Sequence, residues 1–251
     1  MENQPLVSVI MPCYNMAPYI SDSIKSVITQ TYPYWELLIV DDASTDETVN
    51  IIESYSQSEP RIRFAIKKQN SGIADTRNQC IQRAQGQFLA FLDADDIWHP
   101  EKLEKQLRFM MEKNVGFTYS TYDWIDEDGN TLNKFINTIG DLDYETYLRN
   151  TIIGCSTVMV NKTITGDVVV PKFRTSEDTA TWLDILKKGF LAYAIDEPLV
   201  SYRIRRRSAS SNKIKAAIDL WKVYRRHEKL PFFKAIYYFS CYAFNAIKKR
   251  L

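Results

Sequence analysis

Over its first hundred residues the chain alternates between two periods, and that alternation restricts the fold more than any other feature. Residues 6–11, 35–40 and 88–92 are short, strongly apolar runs of the kind that become buried strands, and 61–66 reads as a further strand between the last two. Between them, 18–30 and 73–84 read as helices, the first with Ile20, Ile24, Val27 and Ile28 on one face. Ser44, with Glu47 three residues on, predicts a capping box opening another helix. Strand–helix alternation of this kind implies right-handed βαβ units. The expected fold class is therefore α/β, with a central, mostly parallel sheet flanked by helices.

In an open parallel sheet, ligands bind beyond the carboxyl ends of the strands. The polar clusters fall at those ends: Pro12-Cys13-Tyr14-Asn15 after the first strand, Asp41-Asp42 after the second, Asp93-Ala94-Asp95-Asp96 after the fourth. Crowded carboxylates repel one another unless a cation or donor groups sit among them. Asp-x-Asp occurs three times among 18 aspartates, so the pattern alone decides little. Only Asp93/Asp95 follows a buried strand. These two are candidate ligands of a hard divalent cation, whereas Asp126/Asp128 and Asp141/Asp143 read as solvated loop. The chain has no G-x-G-x-x-G after its first strand and no G-x-x-x-x-G-K-[ST], which disfavours a dinucleotide fold and a P-loop. A carboxylate-held metal bridging a substrate's phosphates remains the natural device.

After residue 100 the rhythm loosens. A helix is expected over 100–113, a strand with alternating aromatics over 116–124, a turn at 126–130 and a short helix over 141–150. A strand over 156–160 follows, then a helix over 177–188 ended by Gly189, and one or two strands within 190–203. The last forty residues differ: a basic helix over 214–229, an aromatic-rich helix over 231–247, then Lys248-Lys249-Arg250.

Charge separates the same two regions. The formal net charge is +1, yet Arg203 to Leu251 holds 14 Lys/Arg against 2 Asp/Glu, and the preceding residues hold 18 against 29. An acidic body with a basic tail suggests an anionic partner, nucleic acid or a phospholipid surface. At 251 residues, 45% of them apolar, the chain suits one α/β domain with or without an appendage. Cys13, Cys80, Cys155 and Cys241 have no zinc-site spacing and His99 and His227 cannot complete one, so reduced, cytosolic thiols are expected. The polar start, Met1-Glu2-Asn3-Gln4-Pro5, reads as no secretory signal, and no stretch before residue 230 suffices to span a membrane.

At this point the motifs can be read together. They are Val7-Ser8-Val9-Ile10-Met11-Pro12-Cys13-Tyr14-Asn15, Val40-Asp41-Asp42-Ala43-Ser44-Thr45-Asp46, Asn70-Ser71-Gly72-Ile73-Ala74-Asp75-Thr76-Arg77-Asn78 and Phe91-Leu92-Asp93-Ala94-Asp95-Asp96-Ile97-Trp98, with Ser176-Glu177-Asp178, Trp182 and Tyr202-Arg203 later. In this order, over about 200 residues, they resemble glycosyltransferase family 2 with the GT-A fold. Ser208-Ala209-Ser210-Ser211-Asn212-Lys213 resembles a bacterial subgroup that builds surface polysaccharides such as O-antigen or teichuronic acid. The resemblance implies a GT-A domain over 1–207, with a nucleotide half over 1–98 and an acceptor half over 99–207, followed by a basic, aromatic helical tail over 208–251.

It also implies roles. Asp42 matches the aspartate that accepts a hydrogen bond from uracil N3, with Asp41 beside it; a carboxylate suits an imide N–H. Pro12, Tyr14 and Asn15 match the loop around the nucleotide, and Arg77 an arginine facing it. Asp93 and Asp95 match the metal-and-ribose motif, with Mn²⁺ or Mg²⁺ stabilising the diphosphate leaving group. Asp178 matches the general base that deprotonates the acceptor hydroxyl. Glu177 either orients it or binds acceptor, unless the pair merely serves the helix N-terminus. Trp182 either stacks on a sugar or belongs to the core. One base and one in-line displacement give inversion. Where many relatives place a histidine, two residues after Tyr-Arg, this chain has Arg205. A guanidinium cannot ligate metal, but it can clamp a diphosphate bidentately. The segment 203–207 is a candidate loop that orders over the donor.

The expected function is transfer of a hexose (glucose, galactose or N-acetylhexosamine) from a UDP-sugar to a sugar acceptor, by resemblance a polyprenyl-diphosphate-linked one. The competing readings are a non-catalytic nucleotide-sugar-binding subunit, a nucleotidyltransferase, and a nucleic-acid binder using the tail. The acidic body and the lack of a nucleic-acid module weigh against the last. Residues 231–247 are near the lower limit for a span and include Lys234 and Asn245. The favoured reading is a helix on the inner leaflet of the cytoplasmic membrane, making the protein cytoplasmic and peripheral; the alternative is packing on the domain or on a second subunit in a homodimer.

Overall fold

The computed structural model describes residues 4–205 and 213–248. The four expected strands become β1 (Val7–Cys13), β2 (Trp35–Asp41), β3 (Ile62–Ile66) and β4 (Phe88–Phe91), paired in parallel in the order β3-β2-β1-β4. Alternate residues of a strand face opposite sides, and both sides here are covered. Val7, Val9 and Met11 pack with Ile20, Ile24 and Val27 of α1 (Ile20–Ile28), while Ile10 joins Leu38, Val40 and Cys80 on the other side. That explains why β1, β2 and β4 read as largely apolar runs. Helices α2 (Thr48–Ser58) and α3 (Ile73–Arg83) complete the crossovers.

The second half extends the same sheet differently. It contains β5 (Ile97–Trp98), α4 (Lys102–Lys113), β6 (Phe117–Ile125), β7 (Thr131–Ile136), α5 (Tyr144–Arg149), a single 3₁₀ turn at Cys155–Thr157, β8 (Met159–Asn161), α6 (Lys162–Thr165), α7 (Glu177–Leu186) and β9 (Tyr193–Arg203). Strand β8 runs antiparallel to both β4 and β6, and β9 then lies parallel to β6. The sheet is thus parallel from β3 to β4 and mixed beyond β4.

Several sequence expectations need correction. Neither β5 nor β7 was foreseen. The 126–130 turn is the tip of a β6–β7 hairpin, built by the Asp126 carboxylate accepting from the Asp128 and Asn130 amides, with Gly129 at φ +88°. Asp143 caps α5, and Asp141 accepts from the Ala194 amide. Both of these Asp-x-Asp pairs therefore serve local backbone. The Ser44/Glu47 capping box does not form. The Ser44 hydroxyl donates to Asp41 instead, and Asp46 accepts from the Thr48 amide at 3.0 Å, so α2 starts at Thr48.

The basic helix is also shorter than expected. Helix α8 (Lys213–Lys222) passes into a π-helical turn, Val223–His227, in which the Glu228 amide reaches back to the Val223 carbonyl at 2.9 Å. Lys229 then takes a left-handed φ of +52°, and α9 (Phe232–Lys248) follows. One stripe of α9, Ala235 and Tyr238, is buried, and Asn245 donates to the Arg149 carbonyl at the end of α5. The opposite stripe, Phe233, Tyr237 and Phe244, is exposed. Among the described residues no helix is long and apolar enough to cross a membrane. Residues 206–212, including most of Ser208 to Lys213 and the 207/208 boundary, lie outside the described residues, as do the last three.

Candidate active site

The carboxyl ends of β1, β2, β3 and β4 meet along one edge, and their polar residues are tied together there. Asp41 is fully buried and accepts from the Ser44 amide at 2.8 Å, which folds the turn after β2. Its carboxylate therefore shapes this loop from below. Asn15, at φ +51°, accepts from the Thr45 amide with its side chain and donates its own amide to Ser44. The β1 and β2 loops are thereby locked to each other, with Pro12 buried and Tyr14 exposed at the rim.

Asp42 is buried and heavily engaged. Its two oxygens accept from the Ser71 and Gly72 amides at 2.9 and 2.8 Å, and Lys67 pairs with it at 2.8 Å. Burial alone would raise its pKa, but the Lys67 hydrogen bond and the two amides outweigh that and hold it below the ordinary carboxylate value. A carboxylate offers about four acceptor positions. Three protein donors still leave room for one ligand N–H.

The β4 loop is held by residues from far away in sequence. The Asp93 amide donates to the Ser156 hydroxyl at 3.0 Å, and that hydroxyl donates to the buried Asp96 at 2.5 Å. Asp96 also accepts from the Arg203 amide at 3.0 Å, so Asp96 positions the loop. Burial, then the charges of Asp95 and Asp93, push its carboxyl well above the ordinary range. Arg205 pairs with Asp95 through Nε at 2.6 Å. Pairing of β5 with β9 brings Tyr202, Arg203 and Arg205 to this loop.

Arg77, on α3, is the connection between the two halves. Its buried guanidinium pairs with Asp93 at 2.7 Å and with Glu177 at 3.1 Å. Glu177 and Asp178 form the first turn of α7, where the helix N-terminus favours negative charge. Glu177 is buried, and one of its oxygens takes no hydrogen bond among the described residues. Burial pushes its pKa up to about 7 against the pull of Arg77, and Asp178 beside it adds to the rise. Asp178 is half-buried, with one oxygen accepting from the Thr179 amide at 2.6 Å. It is raised by the same desolvation and lowered by the same arginine. A raised carboxylate facing a cleft is the condition for general-base work near neutral pH.

The sequence profile of glycosyl transferase family 2 matches residues 8–174. The chain is 50% identical over 248 residues (99% of this chain, 98% of the other) to TuaG of Bacillus subtilis strain 168, a glycosyltransferase named for teichuronic acid biosynthesis. It is 39% identical over 246 residues (97% and 94%) to WfgD of Escherichia coli, named as a UDP-Glc:α-D-GlcNAc-diphosphoundecaprenol β-1,3-glucosyltransferase.

The chain belongs to glycosyl transferase family 2.

Its GT-A fold is seen in solved structures of other glycosyltransferases. The Staphylococcus aureus TarS 1–349 fragment in complex with UDP-GlcNAc superposes with a TM-score of 0.73 at 21% identity, covering 87% of this chain and 64% of that one. The Pyrobaculum calidifontis mannosyltransferase PcManGT, solved with GDP-Man and Mn²⁺, gives 0.68 at 20% identity, covering 92% and 66%.

Within this family 2 chain, the fold gathers Asp93, Arg77, Glu177 and Asp178 into one connected cluster and joins Asp95 to Arg205. Trp182 is a correction. It is 1% exposed, wedged between Phe91 and Phe117 with ring centroids 5.1 and 5.4 Å away, so a sugar has no face to stack on. Asp93 and Asp95 fit a hard cation in donor type. Asp93 is partly exposed, both are carboxylates, and each is now neutralised by a guanidinium, Arg77 or Arg205, in place of a metal ion.

Sequence reading passed over Lys67 and Ser156, and it singled out Arg203 in the Tyr202-Arg203 motif without giving it a partner. Lys67 directly follows β3, so the strand-end rule applied to the third strand would have found it. Ser156 and Arg203 reach the β4 loop only through strand pairing beyond β4, and nothing local signals that.

Proposed function

We propose that this family 2 enzyme is an inverting, metal-dependent glycosyltransferase. It moves a hexose from a UDP-sugar to a polyprenyl-diphosphate-linked saccharide in bacterial surface polysaccharide synthesis. The observation that carries this reading is the Arg77 bridge, which sets the donor-side Asp93 and the raised Glu177–Asp178 pair around one guanidinium.

The chemistry follows from the parts. Pro12, Tyr14, Asn15 and Asp42 surround the base, with the spare acceptor position of Asp42 suiting an imide N–H. Asp93 and Asp95 would hold Mn²⁺ or Mg²⁺, which when bound neutralises the diphosphate as leaving group. Arg205, released from Asp95, has the fork geometry to grip a phosphate oxygen pair. Asp178 takes the proton from the acceptor hydroxyl as it attacks the anomeric carbon, and Glu177, tied to Arg77, fixes the turn that aims it. The activity for which WfgD is named supports a lipid-diphosphate acceptor and makes glucose the first hexose to test. The exposed Phe233, Tyr237 and Phe244 stripe, among basic residues, supports contact with the inner face of the cytoplasmic membrane.

The decisive experiment is UDP release from a panel of UDP-sugars with Mn²⁺ and a synthetic lipid-diphosphate-sugar acceptor. Acceptor-dependent release from one donor is expected, abolished by chelator. Asp178→Asn should lower it by about a thousandfold while UDP still binds. Binding of UDP without release from any donor would favour the non-catalytic subunit, and no UDP binding at all would refute both.

A further inference from the structure

On the side of α7 away from its first turn, three side chains converge that the glycosyl-transfer reading does not use. Asp184 of α7 lies 2.9 Å from His227 Nε2, and Glu228 Oε1 lies 3.8 Å from the same nitrogen. One ligand atom from each falls within 4.8 Å of the others. The Glu228 side chain is fully buried. Its Oε2 accepts from Lys187 at 3.0 Å and from the Tyr144 hydroxyl, but Oε1 takes no hydrogen bond among the described residues. An unmatched buried carboxylate oxygen is costly, and this one points at the histidine.

We propose that Asp184, His227 and Glu228 form a zinc-binding site that staples the C-terminal helices to α7. The donor set, one imidazole nitrogen and two carboxylate oxygens, suits Zn²⁺. At metal–ligand distances of about 2.0–2.2 Å, tetrahedral ligands sit about 3.4 Å apart, which the spacings of 2.9 and 3.8 Å bracket. Small side-chain adjustments would close the site, with water as the fourth ligand. Access is open, since the Asp184 and His227 side chains are partly exposed. The π-helical turn places His227 and Glu228 consecutively against α7. No zinc spacing is visible along the chain because Asp184 comes from another element, 43 residues before His227. The inference is independent of the donor and acceptor assignments.

The test is titration of the full chain, freed of metal, with Zn²⁺ and with Co²⁺ as a spectroscopic stand-in, without nucleotide. One equivalent should bind, Co²⁺ should give the visible bands of a four-coordinate site, and Tm should rise by about 5 °C at a hundredfold excess over Kd. His227→Gln should bind at least tenfold more weakly and lose the Co²⁺ bands; Glu228→Gln should do the same if it folds. Asp93→Asn should bind as wild type. No stoichiometric binding, or binding that survives His227→Gln or is lost in Asp93→Asn, would overturn the proposal. So would a Tm that responds to pH but not to zinc, which would leave a simple histidine–carboxylate pair.

Discussion

The carboxylates just after β2 and at the start of α7 handle negative charge in different ways. Asp42 has two backbone amides as well as Lys67, the last at 2.8 Å. Glu177 and Asp178 are neighbours on one helix turn and share a single guanidinium, Arg77, which Asp93 also claims. Asp42 is held below the ordinary carboxylate value, whereas the Glu177–Asp178 pair is pushed above it. Asp95 is raised as well, because burial outweighs the pull of Arg205 at 2.6 Å. A counter-ion alone therefore does not set the direction; the balance of burial against hydrogen-bond donors and cations does.

Breaking the shared counter-ion should have the largest effect on stability. Arg77→Met leaves Asp93 and Glu177 without their cation and should cost about 3–5 kcal/mol, measured by urea unfolding. Next comes the wall behind α7. Trp182→Phe should cost about 1–3 kcal/mol from the cavity it opens, while KM for the sugar donor and acceptor stays unchanged, as a core residue requires.

A smaller effect tests the acid pair directly. The acid limb of kcat/KM should lie above the ordinary carboxylate range, toward neutrality, because the base works only when deprotonated. Glu177→Gln removes the neighbouring charge and should move that limb down by up to about one pH unit. The same raised groups make folding more favourable as pH falls from about 7 toward the ordinary range, because the native state holds protons there that the unfolded chain releases. Smallest of all, Arg63→Met, which breaks a partly exposed pair with Glu36 at the other end of β2, should cost less than about 1 kcal/mol by the same urea assay.

How far the sequence could be read follows the same divide. Strands β1, β2 and β4 were legible because burial on both faces leaves a largely apolar run, and its carboxyl end is marked by polar residues. Asp42, Asp93 and Asp95 were found in that way. Residues beyond β4 were harder. A two-residue strand such as β5 has no period to detect, and β7 is mostly exposed, with Leu132, Phe135 and Ile136 spaced without strict alternation. The capping box failed because a buried carboxylate, Asp41, outcompeted the helix for the Ser44 hydroxyl.

The sequence by itself determined the βαβ alternation, the strand-end positions of the acidic residues, the family and the charge contrast between body and tail. All of these are carried by local pattern. Only the tertiary structure decided which cation neutralises which carboxylate, that Trp182 faces the core, and that the tail packs one stripe on α5 while exposing the other. Arg77 and Glu177 are 100 residues apart, and Asp96 and Arg203 are 107 apart. Their pairing depends on strand order and register, which long-range packing sets and no local spacing encodes.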